Sequence, residues 1–125
     1  METNSCLTKP SGRLWVENDN GDTMMSWARA TVLDRIEELG SLNAAAQSMG
    51  LSYVKAWRLV KLMNATFPNP LVELKSGGTR GGGAKVTDDG KQAADEFWRL
   101  VEDFNLWLKK QRYLVPSDAN TRIIK

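Results

Sequence analysis

A chain of 125 residues, with 42% hydrophobic and 26% charged residues and a net charge of +2, has the composition of one ordinary globular domain. It contains no run approaching the ~18 apolar residues of a membrane span, and METNSCLTKPSG at the N-terminus lacks an apolar stretch of signal-peptide length. A cytoplasmic protein with no membrane contact is therefore expected. No His and a single Cys, Cys6, exclude an internal disulfide, the usual zinc ligand sets and His-activated nucleophiles.

Four carboxylate pairs remain as catalytic candidates: Glu37–Glu38, Asp88–Asp89, Asp95–Glu96 and Glu102–Asp103. Adjacent residues on a helix point about 100° apart and do not converge on one substrate atom. They read as solvated helix faces, so no enzyme, cofactor or metal site is expected. The charge is unevenly spread. Residues 51–87 carry six cations (Lys55, Arg58, Lys61, Lys75, Arg80, Lys85) and one anion, Glu73, whereas residues 1–50 carry four cations and seven anions. Clustered Lys and Arg of this kind are the electrostatic footprint of nucleic-acid binding.

In chain order, residues 1–12 are polar and read as disordered. Residues 13–17 (RLWVE) have strand composition, 18–22 (NDNGD) are dense in turn formers, and 23–25 form a return strand, giving a small hairpin. From Ser26 to Leu39, Ala28, Val32, Ile36 and Leu39 recur at helical spacing, with Leu33 widening the stripe, and Gly40 ends the helix.

The stretch Ser41–Asn64 (SLNAAAQSMGLSYVKAWRLVKLMN) reads as two short helices and a tight turn. Ser41 and Ser52 are N-caps, Gly50 supplies a left-handed residue after Met49, and the second helix spans 53–66. Two helices joined by a short Gly-containing turn are the sequence picture of a helix-turn-helix. On the second helix, Tyr53, Ala56, Trp57, Val60, Met63 and Phe67 share one sector. Val54, Lys55, Arg58, Lys61, Leu62 and Ala65 occupy the other, with three cations and no carboxylate. This face is either an ordinary solvated one or the base-reading face of a DNA-binding helix.

Pro68 and Pro70 stop the helix. Residues 71–74 (LVEL) and 85–87 (KVT) read as strands around a glycine-rich loop, SGGTRGGG, with Arg80 at its centre. Strand, basic loop and strand directly after a helix-turn-helix make a wing, and Gly lets such a loop approach a phosphate backbone. The loop fits neither the Walker A pattern nor GxGxxG, so a nucleotide cradle is disfavoured. Thr87 caps a long helix over 88–111, where Ala93, Phe97, Leu100, Phe104 and Trp107 recur at heptad spacing, broadened by Trp98, Val101 and Leu108. An arc this wide suggests a second protomer, the alternative being that the helix folds back on helix 26–39. Residues 112–125 read as a tail.

GSLNAAAQSMGLSYVKAWRLVKLMN, then PLVE, then GGTRGGGAKVTDDG resemble the N-terminal domain of the molybdate-responsive ModE regulators. The similarity runs from about Leu14 to Leu108. The Ser52–Trp57 segment combined with the GG-x-x-GGGA wing is the specific part. The Ala-rich helix alone would be weak, since LysR-type winged helices share it. The resemblance implies a winged helix-turn-helix that dimerises through flanking helices and binds DNA. Full-length members carry C-terminal oxyanion-binding domains, and this sequence ends before one, so no small-molecule effector is expected for this chain alone. Many members also have Lys directly after the Tyr, where this chain has Val54, so its operator is expected to differ.

The expected fold is thus mainly α with small β: a winged helix-turn-helix over 13–111, with an N-terminal β-hairpin and a long C-terminal dimerisation helix. The expected function is sequence-specific binding of double-stranded DNA, at an inverted-repeat operator, by a homodimeric transcriptional regulator. Expected DNA contacts are Ser52, Tyr53, Val54, Lys55, Arg58, Lys61, Thr79, Arg80 and Lys85. The expected dimer seam is Phe97, Leu100, Phe104 and Trp107. The alternative is a winged-helix interaction module that pairs with a full-length regulator without binding DNA itself.

Overall fold

The computed structural model describes residues 6–75 and 83–115. In chain order the elements are β1 (Cys6–Thr8), β2 (Val16–Glu17), β3 (Thr23–Met25), α1 (Trp27–Leu39), α2 (Leu42–Ser48), α3 (Tyr53–Thr66), β4 (Val72–Leu74), β5 (Ala84–Val86), α4 (Asp88–Lys109) and β6 (Tyr113–Val115). The strands form three separate antiparallel pairs: β1 with β6, β2 with β3, and β4 with β5. The order is that of a winged helix, with β4–β5 as the wing and β2–β3 as the N-terminal hairpin.

Local chemistry sets the boundaries. Ser26, Ser41, Ser52 and Thr87 each accept a hydrogen bond from the backbone N–H three residues on, at 3.3, 2.9, 3.1 and 3.0 Å. Each satisfies a donor that the first helical turn leaves unpaired. The turn between α2 and α3 closes by Leu51 N donating to Ala46 O and Gly50 N donating to Gln47 O, with Gly50 at φ 68°. That paired pattern, with a left-handed Gly, is the Schellman way of stopping a helix.

The core lies where the helix-turn-helix, α1, the wing base and the first half of α4 meet. Leu33, Ile36, Leu42, Val60, Met63, Leu71 and Phe97 are its large, fully buried members. Two residues of the expected α1 stripe, Ala28 and Leu39, are exposed, and Ala30 is buried instead. The helix is packed by α2 and α3 and also by α4 and β5, so its buried arc is set by these partners rather than by the single face the spacing implied.

The chain ends differ from the expectation. Residues 1–12 were read as disordered and 112–125 as a tail, yet Cys6, Leu7 and Thr8 pair with Val115, Leu114 and Tyr113. Thr8 Oγ1 also donates to Tyr113 O at 3.0 Å. Three-residue strands about a hundred positions apart leave no periodic signal in either segment.

Two close approaches fix the wing against α4. A Cβ at Gly90 would lie 2.2 Å from Leu71 O and 2.7 Å from Val86 Cγ1. Only Gly allows the first turn of α4 to sit on the wing base this way. Beside it, Thr87 Oγ1 donates to Pro70 O at 2.7 Å and Thr87 N donates to Leu71 O at 3.0 Å.

Candidate nucleic-acid interface

Helix α3 buries Ala56, Val60 and Met63 and turns its other side outward. On that side Val54, Lys55, Arg58, Lys61, Leu62 and Ala65 are all exposed, Val54 at 55%. Tyr53 and Trp57, grouped with the buried sector by spacing, are at its edge and are 49% and 40% exposed. The Lys61 ammonium stands 5.3 Å from the centre of the Trp57 ring, a cation–π contact one turn along the helix. Among the described residues, no carboxylate lies within ion-pairing distance of Lys55, Arg58, Lys61, Lys75 or Lys85. The described ion pairs are elsewhere: Lys91 with Glu37 at 3.6 Å, and Arg99 with Glu96 and Asp103.

The wing begins five residues after α3 ends. Val72, Glu73 and Leu74 pair with Val86, Lys85 and Ala84, and Lys75 N extends the ladder toward the loop by donating to Gly83 O at 2.8 Å. Lys75 and Lys85 are exposed on it. Thr79 and Arg80, also expected DNA contacts, lie outside the described residues. Ser52 is exposed and its hydroxyl is engaged as the α3 cap.

The sequence gives no hint of Asn64. Its Oδ1 accepts from Leu71 N at 2.8 Å and Val72 N at 3.2 Å, and its Nδ2 donates to Val72 O at 3.0 Å. One side chain thus ties the last turns of α3 to the first strand of the wing. A lone Asn near a helix end, four residues before a Pro, is a common surface pattern, and only the fold reveals its partners.

The expected seam on α4 divides. Phe97 is 1% exposed and belongs to the protomer's own core, which removes it as a contact between protomers. Leu100 is half-buried. Phe104 is half-buried as well, and a Cβ on Gly12 would stand 3.2 Å from its ring. Trp107 is 56% exposed and stacks on Phe104 with ring centres 6.3 Å apart. Leu106, Tyr113 and Leu114, outside the expected seam, are exposed near the same end of α4. The heptad spacing was real, but α1 claims the first part of the stripe.

No protein-family model matches the chain. Individual proteins do. Over 85 residues, 68% of this chain, it is 40% identical to the molybdenum transport protein ModE of Azotobacter vinelandii. Over 84 residues, 67% of the chain, it is 38% identical to the DNA-binding transcriptional dual regulator ModE of Escherichia coli K12. The chain is homologous to the ModE regulators. The transcriptional regulator ModE of Haemophilus influenzae matches over a shorter stretch, 41% identical over 59 residues. The matches cover 31%, 29% and 23% of these three ModE proteins, so the chain spans less than a third of each. The wing and helix-turn-helix order described above agrees with this relationship. Among the described residues, no helix is long and apolar enough to cross a membrane and no cluster of His, Cys, Asp and Glu forms a metal site.

Proposed function

We propose that the chain is a DNA-binding transcriptional regulator of the ModE type that reads double-stranded DNA with α3 and its wing. One observation carries this reading: the outward face of α3 presents Lys55, Arg58 and Lys61 with no described carboxylate partner, immediately before a hairpin bearing Lys75 and Lys85. Cations held on a surface without carboxylate partners are available to phosphate oxygens, and each phosphate they neutralise releases counterions condensed on the DNA.

In this reading the N-terminal half of α3 enters the major groove. Ser52, Tyr53, Val54 and Lys55 are then nearest the base edges, with Val54 suited to a thymine methyl group and Arg58 to guanine. Lys61 meets backbone phosphate. The wing, residues 71–87, lies on the adjacent backbone or minor groove through Thr79, Arg80 and Lys85. A homodimer formed through the exposed end of α4 places two such units on an inverted repeat. Leu100, Phe104 and Trp107 remain the proposed contacts from the seam, now joined by Leu106, Tyr113 and Leu114.

Fluorescence anisotropy with duplex fragments tests the proposal. Binding is expected, with log affinity falling linearly in log salt between about 50 and 200 mM. Absence of binding at the low-salt end overturns it and leaves the winged domain as an interaction module.

A further inference from the structure

We infer that Asn64 is a positioning residue that holds the wing at a fixed offset from α3, so that helix and wing meet DNA as one rigid unit. The inference deepens the proposed function and rests on α3 and the wing both touching DNA.

The connection between the two elements is poor in its own hydrogen bonds. Residues 67–70 read Phe-Pro-Asn-Pro, and neither Pro has an N–H to donate. The first two amides after Pro70 are those of Leu71 and Val72, and both donate to Asn64 Oδ1. Val72 O accepts from Nδ2 of the same side chain. Both main-chain groups of Val72 thus meet Asn64, which acts as a neighbouring strand would, with a carboxamide in place of a peptide group. A carboxamide has both an acceptor and a donor, which these three bonds require. Asp keeps the acceptor and loses the donor; Leu, of similar size, loses both.

The same backbone is gripped from its other side. Leu71 O accepts from Thr87 N, and Leu71 and Val72 are each 2% exposed or less. The segment 70–72 is therefore clamped between α3 and the start of α4. Releasing the Asn64 side leaves the wing held by α4 and by α1, which packs on β5, and its angle to α3 is no longer set by direct bonds. The cost of that freedom falls on simultaneous contact with DNA, because the ordering of the wing is then deferred to binding.

The test compares the wild-type chain with Asn64→Leu and Asn64→Asp by three readouts, taken well below the melting temperature of each variant. Amide exchange at Leu71 and Val72 is expected to quicken in Asn64→Leu and to stay near wild type in Asn64→Asp. The salt dependence of duplex binding is expected to fall by about one unit of slope in Asn64→Leu, as one wing phosphate contact is lost. Lys85→Ala is expected to weaken binding about fivefold in the wild type and in Asn64→Asp, but to have little further effect in Asn64→Leu. Coupling of this kind is not produced by loss of stability alone. Unchanged exchange at Leu71 and Val72 in Asn64→Leu overturns the inference. So does faster exchange with an unaltered salt slope and a full Lys85→Ala penalty. Failure of the wild-type chain to bind duplex DNA refutes the underlying reading instead, and the exchange measurement still decides whether Asn64 holds the wing. If Asn64→Leu does not fold, Asn64→Asp with a lost Lys85→Ala penalty overturns the inference, and a retained penalty supports it.

Discussion

The Trp98 indole N–H donates to Asp34 Oδ2 at 2.8 Å, joining the middle of α4 to the middle of α1. Around this bond the Trp27 ring meets Trp98 edge-on at 4.7 Å and Phe97 contacts it at 5.3 Å. The bond lies beside the buried end of the α4 stripe. This half of α4 packs on α1, whereas Leu106 and Trp107 at its far end are exposed.

The carboxyl of Asp34 is raised from its ordinary value by partial burial, which outweighs the opposing hydrogen bond from Trp98 and is helped by the nearby charge of Asp95. The native state therefore binds this proton more tightly than the unfolded chain does. Linkage then makes Asp34's contribution to stability decline as pH rises from below the unfolded carboxylate value through the folded one. Asp34→Asn keeps an acceptor for Trp98 and removes the titration. Melting curves at several pH values between about 3 and 7 should show the variant gaining on wild type as pH rises. A gap that moves the other way contradicts the assignment.

Gly90→Ala should be among the most damaging single changes. The added methyl meets the Leu71 carbonyl oxygen, a backbone atom that cannot swing aside. A loss of about 1–3 kcal/mol in urea unfolding is expected, the range for overpacking a well-filled site. A change within error of zero would mean that α4 and the wing base separate freely.

The proposed DNA surface should be separable from stability. Lys55, Arg58 and Lys61 are exposed and have no carboxylate partner among the described residues, and the Lys61 contact with Trp57 is a surface one, so replacing all three with Ala should leave the melting temperature nearly unchanged. The salt slope of duplex binding should drop by about 2–3 units. Unaltered affinity in the triple variant would exclude this surface as the interface.

Trp107→Asp is the cleaner probe of assembly than Phe104→Asp. Trp107 is open to solvent, whereas Phe104 packs beneath Gly12 and its loss would disturb the protomer itself. Sedimentation should find the wild-type chain dimeric at micromolar concentration and Trp107→Asp monomeric with an intact melting transition. A wild-type monomer at that concentration would remove α4 as the dimer surface.

Helices were legible because their signals are local. Ser41, Ser52 and Thr87 cap where their position before an apolar-periodic run says they should, and Gly40 and Gly50 adopt the left-handed turn at helix ends. The exposed cationic face of α3 also follows from angular spacing alone. What escaped depends on distant partners. Phe97 has the spacing of its neighbours on α4, and only the packing of the folded protomer decides that it is core. Asn64 has no periodic role, and its three bonds form only after the chain has turned through two prolines. The pairing of β1 with β6 joins segments that carry no alternation of their own.

That last pairing makes the polypeptide from Cys6 to Val115 a closed circuit. Its entry and exit run side by side, so a short peptide bridge could join them and the chain be opened elsewhere, for instance within the exposed Asn18–Gly21 turn. In such a permuted chain the hairpin strands β2 and β3 would become the ends. The order in which α1, α3 and the wing are synthesised would be unchanged.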